Sequence, residues 1–94
     1  MSKLGAPVKA AQSGKVVYVG TGLKGYGLLV ILKHDEEYLS AYGYAQKCLV
    51  KQGQFVKKGQ NIAEVGLGPA KKAMVRFEVR QSGKYVDPKT LIKI

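Results

Sequence analysis

Few side chains in this sequence could carry chemistry, since it contains one histidine, His34, and one cysteine, Cys48. A catalytic zinc site needs about three protein ligands, and one imidazole and one thiol do not supply them. A cysteine nucleophile needs a histidine base beside it, and His34 is the one candidate. We therefore predict that Cys48 is a small buried apolar residue and that His34 is structural or solvent-exposed. No metal or cofactor is expected.

A glycine-rich segment runs from Gly20 to Gly25 and matches the G-x-G-x-x-G fingerprint of dinucleotide-binding proteins. That motif binds a nucleotide only when its last glycine opens a helix. Here an apolar, β-branched run follows at residues 28–32, after another glycine, and it favours a buried strand. The segment is accordingly predicted to be a hairpin loop between two strands.

The charge of the chain is strongly positive, with 16 Lys and Arg against 6 Asp and Glu, a formal net charge of +10 and a pI near 9.8. Such a surface favours an anionic partner, which could be nucleic acid, an acidic protein face or an anionic cell envelope. Base-reading sites depend on arginine, whereas the only arginines here are Arg76 and Arg80 and the lysines are scattered. Nucleic acid is therefore not the predicted partner.

Targeting and membrane-spanning segments are not recognisable in this stretch of sequence. No apolar run approaches the roughly 18 residues that a membrane-spanning helix needs, and no signal-peptide core follows the first residues. The sequence opens almost directly on a strand-like segment. We expect residues 1–94 to be one domain, from the C-terminal part of a longer protein.

Two segments alternate between side chains of different polarity, as strands with one buried face do. In residues 38–44 one face is expected to carry Tyr38, Ser40, Tyr42 and Tyr44. In residues 73–80 the side chains expected to face the core are Ala73, Val75, Phe77 and Val79. The outward side chains of that segment are Met74, Arg76, Glu78 and Arg80.

Turn signals separate these runs at short intervals. Gly53 and Gly59 mark two tight turns joined by very short strands, and Asp87 with Pro88 is typical of the start of a short helical turn. No other segment shows a helical period. The pattern predicts an all-β fold, a compact sandwich or barrel of about five to seven short antiparallel strands with a short C-terminal helical turn.

Several of these segments together resemble a known domain. They are the glycine loop with the run at 29–34, the strand at 38–42, the double turn at 50–66 and the stretch at 77–88. The resemblance is to the LytM-type (lysostaphin-like) zinc endopeptidase domain. It is closest to the NlpD/EnvC-type subgroup, which activates peptidoglycan amidases in Gram-negative envelopes. It covers the chain from about Ala6 to the C-terminus and matches the later part of that domain.

The resemblance implies that the catalytic groups of the family are missing from this chain. Active members bind zinc through an upstream H-x-x-x-D segment and the second histidine of an H-x-H strand, and two further histidines assist. The H-x-H strand corresponds to residues 74–76, so Met74 replaces an assisting histidine and Arg76 replaces a zinc ligand. The other assisting histidine falls at Tyr44. Because a protonated guanidinium cannot coordinate a metal, the chain is expected to be a degenerate LytM-type domain and not an enzyme.

The former substrate groove is then expected to survive as a surface that binds another protein. We expect it to be lined by Tyr38, Tyr42, Tyr44, Met74, Arg76, Glu78 and Arg80. Aromatic, methionine and arginine side chains are enriched at protein interfaces. The resemblance implies a periplasmic domain whose groove displaces the regulatory segment of a cell-wall amidase during wall remodelling and daughter-cell separation. The simpler alternative for each tyrosine is packing on a half-buried sheet face.

Three other functions stay open. A direct peptidoglycan-binding module would use its positive charge to hold an anionic wall. A lipoyl- or biotinyl-type carrier has similar double-glycine turns, but the lysines within residues 70–74 do not lie in a carrier motif. A basic β-barrel could stack single-stranded nucleic acid on its tyrosines, although the longer resemblance does not support this.

Overall fold

The computed structural model describes residues 3–81 and 84–86, and within them the chain folds into antiparallel strands with one short 3₁₀ turn at Pro69–Lys71. The strands are β1 Pro7–Lys9, β2 Gly14–Gly20, β3 Leu28–Lys33, β4 Tyr38–Cys48, β5 Phe55–Val56, β6 Asn61–Leu67, β7 Ala73–Met74, β8 Arg76–Gln81 and β9 Lys84–Val86. The predicted all-β class is confirmed.

The described residues hold nine strands, more than the roughly five to seven predicted. The difference arises because β1, β5, β7 and β9 have only two or three residues each and show no alternation in the sequence. Strand β4, in contrast, is long, with eleven residues. The helical turn predicted at Asp87 and Pro88 lies outside the described residues. Within the described residues, no helix has the length and apolar character needed to cross a membrane.

The strands form one curled sheet, and not two stacked sheets, in the order β1-β6-β4-β3-β2-β5. Strand β8 pairs with the other edge of β4 and continues to β9, while β7 pairs with β6. Residues 38–43 of β4 lie between β3 and β8, and residues 45–48 pair with β6. Strand β4 is therefore the element from which the sheet branches.

The predicted hairpin loop and buried strand are both confirmed. Strands β2 and β3 pair antiparallel and are joined by residues 21–27, where the glycine fingerprint lies. On β3, Leu29, Val30 and Leu32 are buried. A continuous apolar run is buried here because both faces of β3 are covered by other parts of the chain.

Tyr44 interrupts the alternation of β4. Its φ angle is 64°, in the left-handed region that residues other than glycine seldom adopt, and its N–H donates to the Tyr26 carbonyl at 2.7 Å. The pairing register of β4 shifts on both sides of this position. A bulge of this kind re-aims a side chain, so Tyr44 does not share the face of Ser40 and Tyr42, and that part of the prediction is wrong.

The core lies on the face of β4 that carries Ser40 and Tyr42. Its buried apolar residues are Val8, Ala10, Val16, Val30, Leu32, Tyr42, Val50, Val56, Ile62, Ala63 and Val65. The side chains of Ala73, Val75 and Phe77 pack against this cluster, and Val79 is buried, as the alternation predicts. Cys48 packs against the core, where its burial raises the pKa of the thiol, but it is only partly buried and not the fully buried residue that was predicted.

A chain of hydrogen bonds crosses this core. The Ala11 N–H donates to the Tyr42 hydroxyl at 2.9 Å, and that hydroxyl lies 2.7 Å from Ser40 Oγ. Ser40 Oγ lies 2.7 Å from His34 Nε2, and His34 Nδ1 lies 2.8 Å from the Ser13 carbonyl oxygen. A carbonyl only accepts, so His34 Nδ1 carries a proton and donates to Ser13. Ser40 Oγ donates to the Tyr42 hydroxyl and so links His34 to the core. His34 is thus structural, one of the two predicted alternatives.

We expect Ser40→Ala to lower the free energy of unfolding by about 1–3 kcal/mol, because it removes the hydroxyl group that the buried Tyr42 hydroxyl and His34 Nε2 share as a hydrogen-bond partner. Tyr42→Phe should also destabilise the protein. The double variant should cost less than the sum of the two single changes, since both break the same chain of hydrogen bonds. Urea unfolding of the four proteins measures this coupling, and strictly additive costs would contradict the chain.

Two consecutive residues of the turn after β6 have positive φ angles. They are Ala70 with 61° and Lys71 with 56°. Each pays the steric cost that a Cβ meets in the left-handed region. We expect Lys71→Gly to raise the free energy of unfolding by roughly 0.5 kcal/mol, the net of relieved strain and added unfolded-state entropy. The control is Lys72→Gly, because Lys72 has an ordinary φ of −100° and should not gain. Equal changes in the free energy of unfolding for the two variants would rule out relief of backbone strain at Lys71.

Candidate functional site

The face of the sheet opposite the core forms a groove, which we call the outer groove. Its floor comes from β3 and β4, and one wall comes from the β2–β3 loop. The other wall is β8. The lining residues are Leu23, Lys24, Tyr26, Leu29, Ile31, Leu39, Ala41, Glu78 and Arg80, around a volume of about 390 Å³. The groove has an apolar floor and charged walls.

A cluster of four polar side chains connects the two walls. Tyr26 donates its hydroxyl proton to Glu78 Oε1 at 2.7 Å. Arg76 donates from Nε to Glu78 Oε2 at 3.1 Å, and Arg80 donates from Nη2 to Oε1 at 3.1 Å. The Arg76 guanidinium also lies over the Tyr26 ring, 4.3 Å from its centre, and donates to the Gly25 carbonyl at 2.8 Å. We call Tyr26, Arg76, Glu78 and Arg80 the arginine–glutamate cluster.

Glu78 was predicted to face outward, and it does lie on the outer face, but it is only 6% exposed. Burial alone would raise the pKa of its carboxyl group. The hydrogen bonds from Tyr26, Arg80 and Arg76 outweigh that effect and hold this pKa below its ordinary value. Glu78 is therefore a charged, fully paired carboxylate, while the side chains of Arg76 and Arg80 remain 41% and 37% exposed.

Tyr44 and Met74 lie at one end of the same face. A Cβ placed on Gly68 would come within 2.6 Å of the Met74 side chain and 3.0 Å of the Tyr44 ring, so both side chains pack onto this glycine. Proximity to the Tyr44 side chain, followed by the hydrogen bond and the charge of Glu78, raises the pKa of the Arg76 guanidinium. The structure thus brings together Tyr44, Met74 and Arg76, the three positions at which the family resemblance places catalytic groups.

Tyr38 and Tyr42 do not line the outer groove. In the register of β4 with β8, Tyr42 lies opposite Phe77, and Tyr38 opposite Gln81, on the core face. Tyr42 is 3% exposed and its ring centre lies 5.3 Å from that of Phe77. Tyr38 borders a separate depression of about 440 Å³ beside His34. For Tyr42 the packing alternative is the one that the structure supports.

The sequence alone did not predict that the β2–β3 loop lines the outer groove. It also did not predict that the face of β4 opposite Tyr42 lines it. Tyr26 is 52 residues from Glu78 along the chain, and no local pattern links them. The one available signal was an aromatic residue between Gly25 and Gly27 in a loop, where a buried apolar role is not expected. Leu39 and Ala41 alternate with Ser40 and Tyr42 along β4, and they form part of the groove floor.

The residues at the family's metal position do not fit a zinc ion. Arg76 stays protonated and carries no lone pair to donate, and its neighbours there are a phenol and a thioether. His34, the only histidine of the chain, lies on the core face, where both of its ring nitrogens have partners. Within residues 3–81 and 84–86, no three His, Cys, Asp or Glu side chains gather into a metal site.

Glu78 should make stability depend on pH. Its folded pKa lies below the ordinary value of 4.5, so the unfolded chain binds more protons between the two pKa values, and stability falls as pH drops through that range. We expect Glu78→Gln to cost about 1–3 kcal/mol at neutral pH and less below pH 4, measured by urea unfolding across pH. Glu36→Gln is the control, because that side chain is 90% exposed. A cost for Glu78→Gln that is independent of pH would contradict the ionised cluster.

This chain is similar in sequence and in structure to known proteins. The model of Peptidase family M23 matches residues 1–88. The Lipoprotein NlpD/LppB homolog of Pseudomonas aeruginosa is 55% identical over 86 residues, which are 92% of this chain and 29% of that protein. The murein hydrolase activator NlpD of Escherichia coli is 44% identical over 84 residues, which are 89% of this chain and 22% of that protein. The chain thus spans less than a third of the length of either relative.

Among solved structures, the catalytic domain of the antimicrobial peptidase lysostaphin from Staphylococcus simulans superposes with a TM-score of 0.91 at 30% identity. The match covers 100% of this chain and 75% of that one. The resemblance inferred from the sequence motifs is confirmed, because the relatives include murein hydrolase activators and the structural neighbours are LytM-type peptidases. The family match extends over nearly the whole sequence, and this chain belongs to peptidase family M23.

Proposed function

We propose that this chain is a non-catalytic M23 domain that binds and activates a peptidoglycan N-acetylmuramoyl-L-alanine amidase during cell-wall remodelling and daughter-cell separation. Relatives of 44% identity are named murein hydrolase activators, which supports a role in activating wall hydrolysis. The observation that carries the proposal is the arginine–glutamate cluster. The family resemblance places Arg76 at the position of a zinc ligand, and its contacts with Tyr26 and Glu78 hold it on the wall of the proposed binding groove.

The residues at the positions where the resemblance places the family's catalytic groups do not favour catalysis. A peptidase of this type polarises its substrate and activates water with zinc and histidine. Tyr44, Met74 and Arg76 supply neither the imidazole ligands nor the imidazole bases that this chemistry uses. Glu78, the acidic side chain beside them, is paired with two guanidinium groups and a phenol. These three hydrogen bonds hold the pKa of this carboxyl group below its ordinary value, so it is a weak base for activating water.

The outer groove has the composition of a binding surface. Met74 and the two arginines are partly exposed, and the apolar floor of Leu39 and Ala41 lies beside them. Two guanidinium groups against one carboxylate leave this wall with a net positive charge. A partner segment with an apolar side chain and a carboxylate would complement both parts of the groove. The proposed partner-binding residues are Tyr44, Met74, Arg76, Glu78 and Arg80.

Activation would proceed by population shift. A regulatory segment that covers the amidase active site can leave it only if the open enzyme gains contacts that the closed enzyme lacks. The outer groove would provide those contacts. Relatives of this chain are lipoproteins of Gram-negative bacteria, so the domain belongs in the cell envelope, and we propose that it acts in the periplasm.

The second candidate is direct binding of peptidoglycan. The observation that favours it is the formal charge of +10, which would attract the carboxylates of an anionic wall. Binding of this kind depends on many weak charge contacts and is screened by salt. Pull-down on purified sacculi at low and high salt would therefore separate wall binding from activation of an amidase.

The test is release of dyed peptidoglycan by a partner amidase, with and without this chain. We expect Arg76→Glu and Tyr44→Ala each to reduce stimulation at least about tenfold, because interface residues of this kind each contribute more than about 1.4 kcal/mol. The control is Lys9→Glu, an equal reversal of charge at an exposed position of β1, away from the groove. Circular dichroism and thermal unfolding of each variant exclude loss of fold.

Undiminished stimulation by both groove variants would refute the assignment of the outer groove. If the chain alone released dye, and a chelator stopped the release, the non-catalytic assignment would be refuted.

A further inference from the structure

Phe55 projects from the edge of the sheet that is formed by β5. It is 75% exposed, more than any other large hydrophobic side chain of the described residues. Its strand, β5, ends the sheet beside β2, where Phe55 pairs with Lys15, whose Nζ lies 5.7 Å from the centre of the ring. The next residue, Val56, is buried in the core and fixes the strand. Folding gains little from a phenylalanine in this position, so its apolar surface is available to something outside the chain.

Two tight turns of the same design flank Phe55. Residues 51–54 and 57–60 both read Lys, any residue, Gly, Gln. In the first turn the Lys51 N–H donates to Gln54 Oε1 at 3.1 Å, and in the second the Lys57 N–H donates to Gln60 Oε1 at 3.0 Å. Both glycines have positive φ angles, as such turns require. The lysines on each side of Phe55 are therefore presented by turns of fixed shape.

The charge around Phe55 has one sign. Lys15, Lys51, Lys57 and Lys58 are exposed, and none of them forms a salt bridge with another described residue. The sequence contains no aspartate or glutamate from residue 38 to residue 63. We call Phe55 with these four lysines the β5 surface. A projecting apolar ring surrounded by uncompensated cations is complementary to an apolar layer with an anionic border.

The neutral polar groups at this edge argue against a sugar. A glycan is recognised by hydrogen bonds to its hydroxyl groups as well as by an aromatic ring, and the amides of Gln54 and Gln60 would be the groups to make them. The Oε1 acceptor of each is already used inside its own turn, which leaves only the Nε2 donors of these amides. The prominent groups at this edge are lysine ammonium groups and an aromatic ring, which bind lipid headgroup phosphates and insert between acyl chains.

We propose that the β5 surface binds a membrane containing anionic phospholipids, with Phe55 inserted below the headgroups and the four lysines in contact with their phosphates. Strands β2, β3 and β4 separate β5 from β8, a path of about 19 Å along the sheet at the usual strand spacing. The outer groove would stay accessible while β5 rests on the membrane. This proposal does not depend on the identity of the groove's partner.

The test is co-sedimentation of the chain with vesicles of phosphatidylcholine alone or with 30% phosphatidylglycerol, on the order of a bacterial anionic fraction. We expect binding to the anionic vesicles only. Phe55→Ala should weaken it about tenfold through lost burial of the ring. The double variant Lys57→Glu with Lys58→Glu should weaken it by more than about tenfold. The matched control is Lys71→Glu with Lys72→Glu, the same change of charge on the turn after β6, which should retain most of the binding.

Two results would overturn the proposal. One is absence of wild-type binding to anionic vesicles, including the case in which the same variants instead lose binding to purified sacculi. The other is equal weakening by both charge-reversal pairs with no effect of Phe55→Ala, which would indicate diffuse attraction without a defined surface. Phe55→Ala should stimulate the amidase in solution like the wild type, so failure of membrane binding and failure of the proposed function are distinguished.

Discussion

Strand β4 pairs with three other strands, and this constraint sets the position of nearly every other element. Its first half is hydrogen-bonded on one side to β3 and on the other to β8, and its second half to β6. Between the halves, Tyr44 takes up a left-handed conformation that lets the strand change partners. The same residue is thereby turned toward Arg76 and Met74. The bulge that makes the sheet branch is thus also what completes the outer groove.

The arginine–glutamate cluster holds two elements of the sheet together by charge pairing. A buried carboxylate is costly unless it is paired and hydrogen-bonded, and Glu78 receives donors from Tyr26, Arg76 and Arg80. Here the positive charge is supplied by side chains, and it holds the β2–β3 loop against β8. The groove keeps its shape through charge pairing within the protein.

The sequence allowed good predictions wherever one face of one strand decided the outcome. The alternation at residues 73–80 correctly separated core from outer residues, and the glycine fingerprint was correctly interpreted as a loop. The site was predicted less well because a groove depends on the register between strands. Tyr42 lies opposite Phe77 on the core face, in the register of β4 with β8. Neither segment alone predicts that pairing. The bulge at Tyr44 and the long-range contact of Tyr26 likewise have no local signature.

The position of β8 late in the chain bears on how the domain folds. Strands β3 and β4 are joined by a four-residue turn at residues 34–37, so their hairpin can form early, at a small cost in loop-closure entropy. Arg76 and Glu78 must then close a loop of about 50 residues to reach Tyr26, and contacts of such long range form slowly. We therefore expect the groove to be assembled at the end of folding, after the hairpin that forms its floor. A nascent chain would bind no partner through this surface until β8 had emerged and docked.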